Sequence, residues 1–439
     1  MQTKHLIVIS FDGVSSEDIE ILGELPNFSK LIKGGALIKN VETIYPSLTY
    51  PAHATIVTGC YPNKHGIINN TLLEFGDENP NWYWYRKYIK KETIFDLAEK
   101  KGLKTCSILW PVTGRSKITY NMPEICCTKS WHNQIIMSAL AGTISYQLPL
   151  NKKYGSLRKG ISQPYLDNFS MEVAKDTIIN RKPNLMLLHL VDVDSQRHYT
   201  GYKSKEVKEA LIRHDKRLGE IIDTLKEANI LEESTIVALG DHSQIDVDKI
   251  IRINSLFTEK NLITLDGRGN LKDYKAIAKN CDGSSYIYLK DKNDNKVKEE
   301  VKKILEEANS TYNNPFEFIL DSNEAENLGA DPNCDFMVEG NFGYSFIDEV
   351  TGDFIEKIKE EDIGEKPHRV KATHGYFPKK ENYTTFFIAY GNSIKKGFTL
   401  ENGSLINHGP TLARILGLEL KDIDGNIEEK IFNESVKLI

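Results

Sequence analysis

Three short apolar runs in the chain are each followed closely by an aspartate. These pairs are residues 6–10 with Asp12, residues 185–193 with Asp194, and residues 235–239 with Asp241. Continuous apolar runs of this length are typical of parallel strands that are buried on both faces. Ligands collect at the carboxyl ends of such strands, because loops and helix N-termini converge there. We therefore expect the three carboxylates to meet at one site.

Helical patterns alternate with these strands. Between residues 207 and 225, apolar residues recur at the spacing of one helix face. Residues 104–109 and 384–390 are two further predicted strands, and residues 410–416 form a predicted last helix that ends at Gly417. The alternation indicates an α/β fold with a mostly parallel sheet between helices.

The pattern changes from residue 254 to residue 366, where short strands accompany a charged amphipathic helix at residues 296–308. The predicted short strands are residues 285–289, 316–320, 335–338 and 344–347. A chain of 439 residues is longer than one ordinary core requires. We interpret residues 254–366 as an inserted α+β cap domain and assign residues 1–253 and 367–439 to the core. A second, weaker insertion with poor periodicity spans residues 127–168.

Composition and charge disfavour several classes of protein. The formal net charge is −6, with 56 basic and 62 acidic residues dispersed along the chain. Binding to duplex nucleic acid or to a membrane surface is disfavoured, because both require a basic footprint. No stretch approaches the roughly 20 apolar residues that span a bilayer. Six cysteines without a C-x-x-C pair, and an N-terminus too short for a signal peptide, predict reduced thiols in a cytoplasmic protein.

The segment from residue 46 to residue 70 contains the most informative hydroxyl group. Prolines bracket Thr49, and the apolar spacing after Pro51 predicts a helix that begins at this point. The free N–H groups of a helix N-terminus favour an alkoxide and bind phosphate oxygens. Thr49 is therefore a candidate nucleophile that needs activation, whereas a threonine in this position is otherwise an ordinary N-cap.

Potential metal ligands accompany this threonine. They are the D-x-x-x-H pair Asp194 and His198, the adjacent Asp241 and His242, and the separate Asp12 and His374. Taken singly, each of these aspartates and histidines is explained equally well by a turn, a cap or a structural hydrogen bond. Taken together, oxygen and nitrogen donors without a thiolate indicate a catalytic zinc or manganese site.

The motifs FDGV, PSLTYPAHATIVTG, YPNKHGIINN, DSQRH and GDHSQ together resemble the nucleotide pyrophosphatase/phosphodiesterase branch of the alkaline phosphatase superfamily. The resemblance covers residues 1–125, 170–250 and 367–430 and does not extend to the two insertions. It implies an alkaline-phosphatase-like core with two Zn²⁺ ions, or Mn²⁺ in their place. It also implies a hydrolase that cleaves phosphodiester or pyrophosphate bonds of small nucleotide-like substrates through a phosphothreonine intermediate.

The resemblance also implies roles for single residues. One metal ion would be held by Asp194, His198 and His374, and the other by Asp12, Thr49, Asp241 and His242. Asn70 would donate a hydrogen bond to the phosphoryl oxygen, and Tyr50 would stack on a nucleobase or a similar group. The string GDHSQ departs from the family pattern after its aspartate and histidine, so the following loop is altered.

Related activities remain as alternatives. Sulfatase activity is disfavoured, because threonine cannot yield the formylglycine that sulfatases need. A phosphonoacetate hydrolase of the same superfamily has a similar pattern, and a phosphomonoesterase would need extra cations, for which Arg197 and Lys64 are candidates. A non-catalytic binding protein would be expected to have lost at least one ligand. Four other residues are expected to be structural: His53, His65, His214 and Asp215.

Overall fold

The computed structural model describes residues 3–77, 79–129 and 131–433. The strands are β1 (His5–Phe11), β2 (Ala36–Glu42), β3 (Thr105–Ile108), β4 (Tyr120–Met122), β5 (Leu185–Leu190), β6 (Ser234–Leu239), β7 (Ile245–Ile251), β8 (Ile263–Leu265), β9 (Leu271–Tyr274), β10 (Ala276–Cys281), β11 (Ser284–Leu289), β12 (Phe316–Asp321), β13 (Phe336–Gly340), β14 (Gly343–Phe346), β15 (Ile355–Lys357), β16 (Ala372–Thr373), β17 (Thr385–Gly391) and β18 (Phe398–Ser404).

The helices lie between these strands in the same chain order. They are α1 (Ile19–Glu24), α2 (Pro26–Gly34), α3 (Thr49–Thr58), α4 (Pro62–His65), α5 (Ile94–Lys100), α6 (Gln134–Ala141), α7 (Ile144–Tyr154), α8 (Tyr165–Arg181), α9 (Asp192–Thr200), α10 (Lys205–Glu227), α11 (Ile253–Glu259), α12 (Asn295–Thr311), α13 (Ser322–Asn327) and α14 (His408–Ile415). No helix among the described residues is both long and apolar enough to cross a bilayer.

The main sheet has eight strands in the order β18-β2-β17-β6-β1-β5-β3-β4. All neighbouring strands pair in parallel except β17, which runs antiparallel to both β2 and β6. The prediction of a mostly parallel sheet is therefore confirmed. Strands β1, β5 and β6, which carry the three apolar runs, are adjacent in the centre of the sheet, so their carboxyl ends share one edge.

Apolar side chains cover both faces of this sheet. On β1, Ile7 and Ile9 pack on one face with residues of α2, α8 and α10, whereas Leu6 and Val8 pack on the other with residues of α3, α5 and α14. Burial on both faces explains why the strand is a continuous apolar run instead of an alternating one. The last helix, α14, ends as predicted before Gly417, whose φ of 68° requires the left-handed conformation that glycine adopts readily.

One local prediction needs correction, and the weaker of the two predicted insertions has a definite secondary structure. Strand β5 ends at Leu190, three residues earlier than predicted, because the acidic residues from Asp192 onward form the first turn of α9, where carboxylates favour the helix dipole. The insertion at residues 127–168 is mainly helical, since it contains α6, α7 and the beginning of α8. Its periodicity is poor because α7 presents apolar residues on both its buried and its exposed faces.

A smaller antiparallel sheet, β10-β11-β13-β12, forms with α12 the core of the predicted cap. All four predicted short strands and the predicted helix at residues 296–308 are present with similar bounds. Strands β14 and β15, inside the predicted cap, pair with β7, and β16 also pairs with β7. The boundaries at residues 254 and 366 stay a prediction, because β7 and β16 lie outside them.

Candidate active site

Thr49 is the first residue of α3. Its side chain is 8% exposed, and its Oγ1 lies 3.1 Å from Nε2 of His242. The preceding Leu48 has an extended backbone, and Pro51 is compatible with a first helical turn because its missing N–H would have no partner there. The predicted helix therefore begins at the threonine itself, and the hydroxyl faces the end of the sheet.

The first turn of α3 leaves one backbone donor near this hydroxyl. The N–H of Tyr50 donates to Oδ1 of Asn70 at 2.9 Å, and the N–H of Ala52 donates to the carbonyl of Leu48. The N–H of Thr49 has no acceptor among the residues that the structure describes. The bond from Tyr50 identifies Oδ1 of Asn70 as the acceptor, and Asn70 also lines the cleft, so its amide NH₂ is the donor that Asn70 can offer to a ligand.

One group of ligand atoms is formed by Asp194, His198 and His374. Asp194 and His198 lie one turn apart on α9, so their side chains share a face, and Nε2 of His198 is 3.4 Å from Oδ1 of Asp194. His198 Nδ1 donates to the carbonyl of Ala372 at 2.8 Å, which leaves Nε2 free to face the site. His374 follows β16, and its Nε2 is 3.9 Å from the same carboxylate oxygen.

A second group surrounds His242. Its Nε2 lies 3.3 Å from Oδ1 of Asp12 and 3.2 Å from Oδ2 of Asp241, in addition to its contact with Thr49. Oδ1 of Asp241 accepts the N–H of Gly13 at 3.1 Å, which holds the carboxylate in place. Gly13 has a φ of 69°, and a Cβ there would lie 3.1 Å from Cα of Asp194, so glycine lets the loop after β1 approach α9.

The two groups are contiguous, because the ligand atoms of Asp12, Asp194 and His242 also lie within 4.8 Å of one another. The structure thus brings together all seven residues that the sequence nominated from distant segments. Their roles as metal ligands stay a prediction.

The donors of this site fit divalent cations. Oδ1 of Asp12 and Oδ2 of Asp241 are buried and have no hydrogen-bond partner within the described chain. Burial, reinforced by the neighbouring Asp194, raises the pKa of Asp12 to about 7. Burial, reinforced by Asp12, raises the pKa of Asp241 well above its ordinary value. Buried carboxylates that repel one another in this way are stabilised by a cation placed between them.

The protonation of two of the three histidines agrees with this fit, whereas Asp194 raises the pKa of His198 to about 9 against the effect of burial. Burial and the nearby His198 lower the pKa of His242 to about 3, and burial and His242 lower the pKa of His374 well below its ordinary value. Both rings are therefore neutral at physiological pH, which is the state in which imidazole binds a metal. Burial alone would raise the pKa of Asp194, but His198 and His374 bring it down to about 2.

The raised pKa of Asp12 predicts a pH dependence of stability in the metal-free protein. Its folded-state pKa of about 7 exceeds the ordinary 3.8, so Asp12 must ionise in a buried site as pH rises between these values. We expect the free energy of unfolding of wild type to fall over this range relative to that of Asp12→Asn. Urea titrations of both metal-free proteins between these pH values measure the difference.

An exposed aspartate serves as the control for this comparison. Asp353→Asn should follow wild type at every pH, because Asp353 is exposed. Parallel stability profiles for wild type and Asp12→Asn would contradict the raised pKa. With metal restored, wild type should be more stable to urea than Asp12→Asn, because the asparagine variant has lost a metal ligand.

The sequence analysis missed three residues that position the nominated ligands. His189, inside β5, has its Nε2 3.0 Å from Oδ2 of Asp12. The side-chain amide of Gln244 donates to Asp194, and Oδ2 of Asp282, in the cap, lies 3.7 Å from Nδ1 of His374. The sequence indicates a special role for His189 in one way only, because it is a polar residue inside the apolar run of β5. Gln244 is the last residue of GDHSQ, so the loop that departs from the family pattern still contacts a ligand.

Other nominated residues hold the scaffold. Nδ1 of His53 donates to the carbonyl of Thr49 at 2.8 Å, and His65 bonds to Thr55 and accepts the N–H of Ile67. Asp215 caps α2 by accepting the N–H groups of Asn27 and Phe28.

The remaining candidates lie away from the reacting groups. His214 is buried beside Arg217 and Phe11. The guanidinium of Arg197 pairs with Asp18 at 2.8 Å, and Lys64 pairs with Asp424, so neither cation faces the cleft.

Tyr50 is placed differently from its predicted role. Its ring is 0% exposed and packs edge-on against Trp82 at 5.1 Å between ring centroids. A fully buried ring cannot stack on an incoming group in this structure. Trp82 itself lines the cleft, so the aromatic wall next to the site is formed by this tryptophan instead.

The cleft is a cavity of about 870 Å³, which is ample for a nucleotide-sized ligand. Core residues such as Asn70, His198 and His374 line one side, and cap residues such as Lys279 and Asp282 line the other. The cap is joined to the segment before Thr49 by apolar packing and by a hydrogen bond from Tyr45 to Glu339. The site therefore lies between the core and the cap.

Known proteins have sequences related to this chain. Human ectonucleotide pyrophosphatase/phosphodiesterase family member 1 is 29% identical over 281 residues, which cover 61% of this chain and 26% of that protein. Venom phosphodiesterase 2 of Crotalus adamanteus is 25% identical over 276 residues, covering 60% of this chain and 30% of that protein. The chain thus spans less than a third of the length of these relatives.

Solved structures show the same fold. Human ectonucleotide pyrophosphatase/phosphodiesterase 5 has a TM-score of 0.68 and 18% identity, covering 98% of this chain and 100% of that one. The murine protein, an inactive form in complex with AMP, has a TM-score of 0.67 and 18% identity over 99% of this chain and 100% of that one. The predicted alkaline-phosphatase-like core is therefore confirmed.

The family itself is identified by its sequence model. The model described as type I phosphodiesterase / nucleotide pyrophosphatase matches residues 6–377, which include all seven nominated ligands. The recognition made from the motifs is confirmed: the chain belongs to the type I phosphodiesterase / nucleotide pyrophosphatase family.

Proposed function

We propose that the protein is a metal-dependent hydrolase that cleaves phosphodiester or pyrophosphate bonds of nucleotide-like substrates, with Thr49 as nucleophile. The observation that carries the proposal is the position of the Thr49 hydroxyl, at a helix N-terminus and 3.1 Å from His242. Beside it, Oδ1 of Asp12 and Oδ2 of Asp241 are buried without a hydrogen-bond partner in the described chain. Membership of the family supports it, as do the relatives named phosphodiesterases.

Two groups of residues would hold the cations. One group is Asp194, His198 and His374, and the other is Asp12, Thr49, Asp241 and His242. Zn²⁺ suits these nitrogen and oxygen donors, and Mn²⁺ is the alternative. When bound, two such ions neutralise charge on the phosphoryl group and on the attacking and leaving oxygens.

The chain's own groups perform the remaining steps. The Thr49 oxygen forms a bond to phosphorus as the bond from phosphorus to the leaving oxygen breaks, which gives a phosphothreonine. Water then cleaves the bond between phosphorus and Oγ1 and regenerates the hydroxyl. The N–H of Thr49 and the amide NH₂ of Asn70 donate to a phosphoryl oxygen, and the N-terminus of α3 favours the developing negative charge.

The surroundings of the site favour a diester over a monoester. A monoester carries a second negative charge, for which a free cation is the usual partner. Arg197 and Lys64 are engaged elsewhere, and Lys279, which lines the cleft, pairs with Asp348 at 2.7 Å. Trp82 and Phe75 supply apolar surface for a base or similar group, and a murine relative has been solved with AMP.

A hydrolysis panel on the zinc-loaded protein tests the proposal. We expect kcat/KM for bis-p-nitrophenyl phosphate and for dinucleotides to exceed that for p-nitrophenyl phosphate by about tenfold or more, because the described residues of the cleft offer no unpaired lysine or arginine to the second charge of the monoester. Phosphonoacetate belongs in the same panel. A preference for the monoester or for phosphonoacetate would overturn the proposed substrate class.

The cellular location is a separate proposal. We keep the cytoplasmic location expected from the cysteines, all six of which are unpaired in the described chain. Fractionation of the source cells tests it directly.

A further inference from the structure

An unusual concentration of apolar side chains is exposed in the helical insertion. Twelve large hydrophobic side chains are exposed among the described residues, and eight of them lie between residues 131 and 161. The eight are Trp131, Ile135, Ile136, Leu140, Ile144, Leu148, Leu157 and Ile161. We call the surface that they form the insertion face. Apolar side chains in such density on a monomer surface mark an interaction site.

Five residues of the insertion face lie on α6 and α7, and α7 is anchored to the core on its other side. Helix α7 buries Tyr146 and Leu150 against the core while Ile144 and Leu148, one turn apart, face solvent. On α6, Ile136 and Leu140 are likewise one turn apart and more than half exposed. The exposed residues of α7 are therefore held in place by the buried face of that helix and are not a consequence of an unpacked helix.

The same segment is strongly basic, although the whole chain is acidic. Residues 125–166 contain no aspartate or glutamate in a chain that carries 62 of them. The segment contains five basic residues: Lys129, Lys152, Lys153, Arg158 and Lys159. Two of these lysines pair with carboxylates outside the segment, at Asp77 and Asp176. The other three pair with no carboxylate in the described chain.

We propose that the insertion face docks on the surface of a bilayer that contains anionic phospholipids. Exposed tryptophan, isoleucine and leucine enter the boundary between headgroups and acyl chains, and nearby lysines and arginines bind phosphate and carboxylate headgroups. The association is peripheral and requires no membrane-spanning helix. The net charge of the whole chain is negative and for that reason disfavoured membrane binding. It does not reveal that residues 125–166 have a local excess of positive charge.

The positive charge of the insertion face favours an anionic bilayer over a partner protein or a second copy of the chain. Protein–protein interfaces are depleted of lysine, whereas this face carries Lys152 and Lys159 without carboxylate partners. A second copy of the chain would bring the same positive charges against each other, which opposes self-association. An anionic lipid surface complements both the apolar and the basic parts of the face.

The insertion face adjoins the cleft of the proposed active site. Thr128, immediately before the basic segment's first lysine, lines the cavity, and Lys129 pairs with Asp77, which also lines it. Docking would hold the cleft close to the membrane surface. The docking itself is independent of the hydrolase proposal.

Co-sedimentation of the full chain with vesicles tests the inference. We expect the protein to pellet with phosphatidylcholine vesicles that contain phosphatidylserine, and much less with phosphatidylcholine alone. Lys152→Ala and Lys159→Ala should each weaken binding by about fivefold. The double variant Ile136→Ser/Leu140→Ser should abolish sedimentation. Raising the salt concentration should also weaken binding, because exposed charges are screened.

Matched control variants and a measurement of oligomeric state distinguish lipid docking from a general effect of substitution and from self-association. Ile212 is 48% exposed on α10, and Lys205 is exposed at its start, so Ile212→Ser and Lys205→Ala should bind as wild type does. Failure of wild type to pellet with anionic vesicles would overturn the inference, as would equal losses in the controls. A dimer in analytical ultracentrifugation that Ile136→Ser/Leu140→Ser disperses would also overturn it, by assigning the face to a second copy.

Discussion

Replacing Thr49 by alanine is expected to lower kcat for a phosphodiester by at least about a thousandfold, because no other hydroxyl takes its place as nucleophile. The Oγ1 atom is the group at the N-terminus of α3 that contacts His242. Thr49→Ser retains a hydroxyl at the same position and should keep a measurable part of the activity. Steady-state kinetics on bis-p-nitrophenyl phosphate at equal metal loading measures both variants.

Metal content and stability separate this prediction from a structural effect. Six other proposed ligands remain in Thr49→Ala, so its zinc content and melting temperature should stay close to those of wild type. Thr399→Ala, on the exposed part of β18, is the matched control and should have wild-type kcat. Turnover of Thr49→Ala close to wild type would refute the nucleophile assignment.

Replacing Asp194 by alanine is expected to have the second large effect. Asp194 belongs to one group, and its carboxylate also lies within 4.8 Å of the ligand atoms of Asp12 and His242 in the other group, so its loss should weaken both centres. His198 belongs to one group, and His198→Ala should lose only one ion. We expect Asp194→Ala to retain less metal than His198→Ala and to lose activity by at least about a thousandfold.

Metal analysis by plasma mass spectrometry measures this difference. Protein dialysed against one zinc concentration is compared for wild type, Asp194→Ala, His198→Ala and the exposed control Asp353→Asn. Because bound ions stabilise only the folded state, the melting temperature should fall in the same order as the metal content. Two tightly bound ions in Asp194→Ala would contradict the shared position of this carboxylate.

The three aspartates could be predicted as one site because each follows a continuous apolar run. Such runs specify central parallel strands, and the geometry of a parallel sheet then brings Asp12 and Asp241 to the same edge. His374 could not be derived in this way. It follows β16, which has only two residues and pairs with β7 outside the main sheet, so no strand-end pattern placed it beside the aspartates. It was a candidate ligand by residue type, and its assignment to one metal ion came from the family resemblance.

The positions of Tyr50, Trp82 and His189 depend on contacts that a sequence pattern does not encode. Tyr50 is covered by Trp82, and this contact forms only when the loop after α4 folds over α3. His189 lies in an apolar strand because its ring nitrogens contact Asp12 and the carbonyl of Leu109. A polar residue in a buried run is satisfied by partners from other strands, which periodicity cannot identify.

The same limit applies to the fold. The central strands were predictable because they are buried along their whole length. Helix α10 was predictable because the same face is buried from its beginning to its end. The helices α6 and α7 were not, because apolar residues occur on both their buried and their exposed faces and one-sided periodicity is lost. The exposed apolar residues of α6 and α7 that disturb the periodicity are the ones that we assign to the membrane contact.

Anomalous X-ray scattering at the zinc absorption edge, from crystals of the zinc-loaded protein, tests the central claim most directly. The account predicts two peaks, one among Asp194, His198 and His374 and the other among Asp12, Thr49, Asp241 and His242. A single peak, or peaks away from these side chains, would contradict the bimetallic centre on which the proposed chemistry of Thr49 depends.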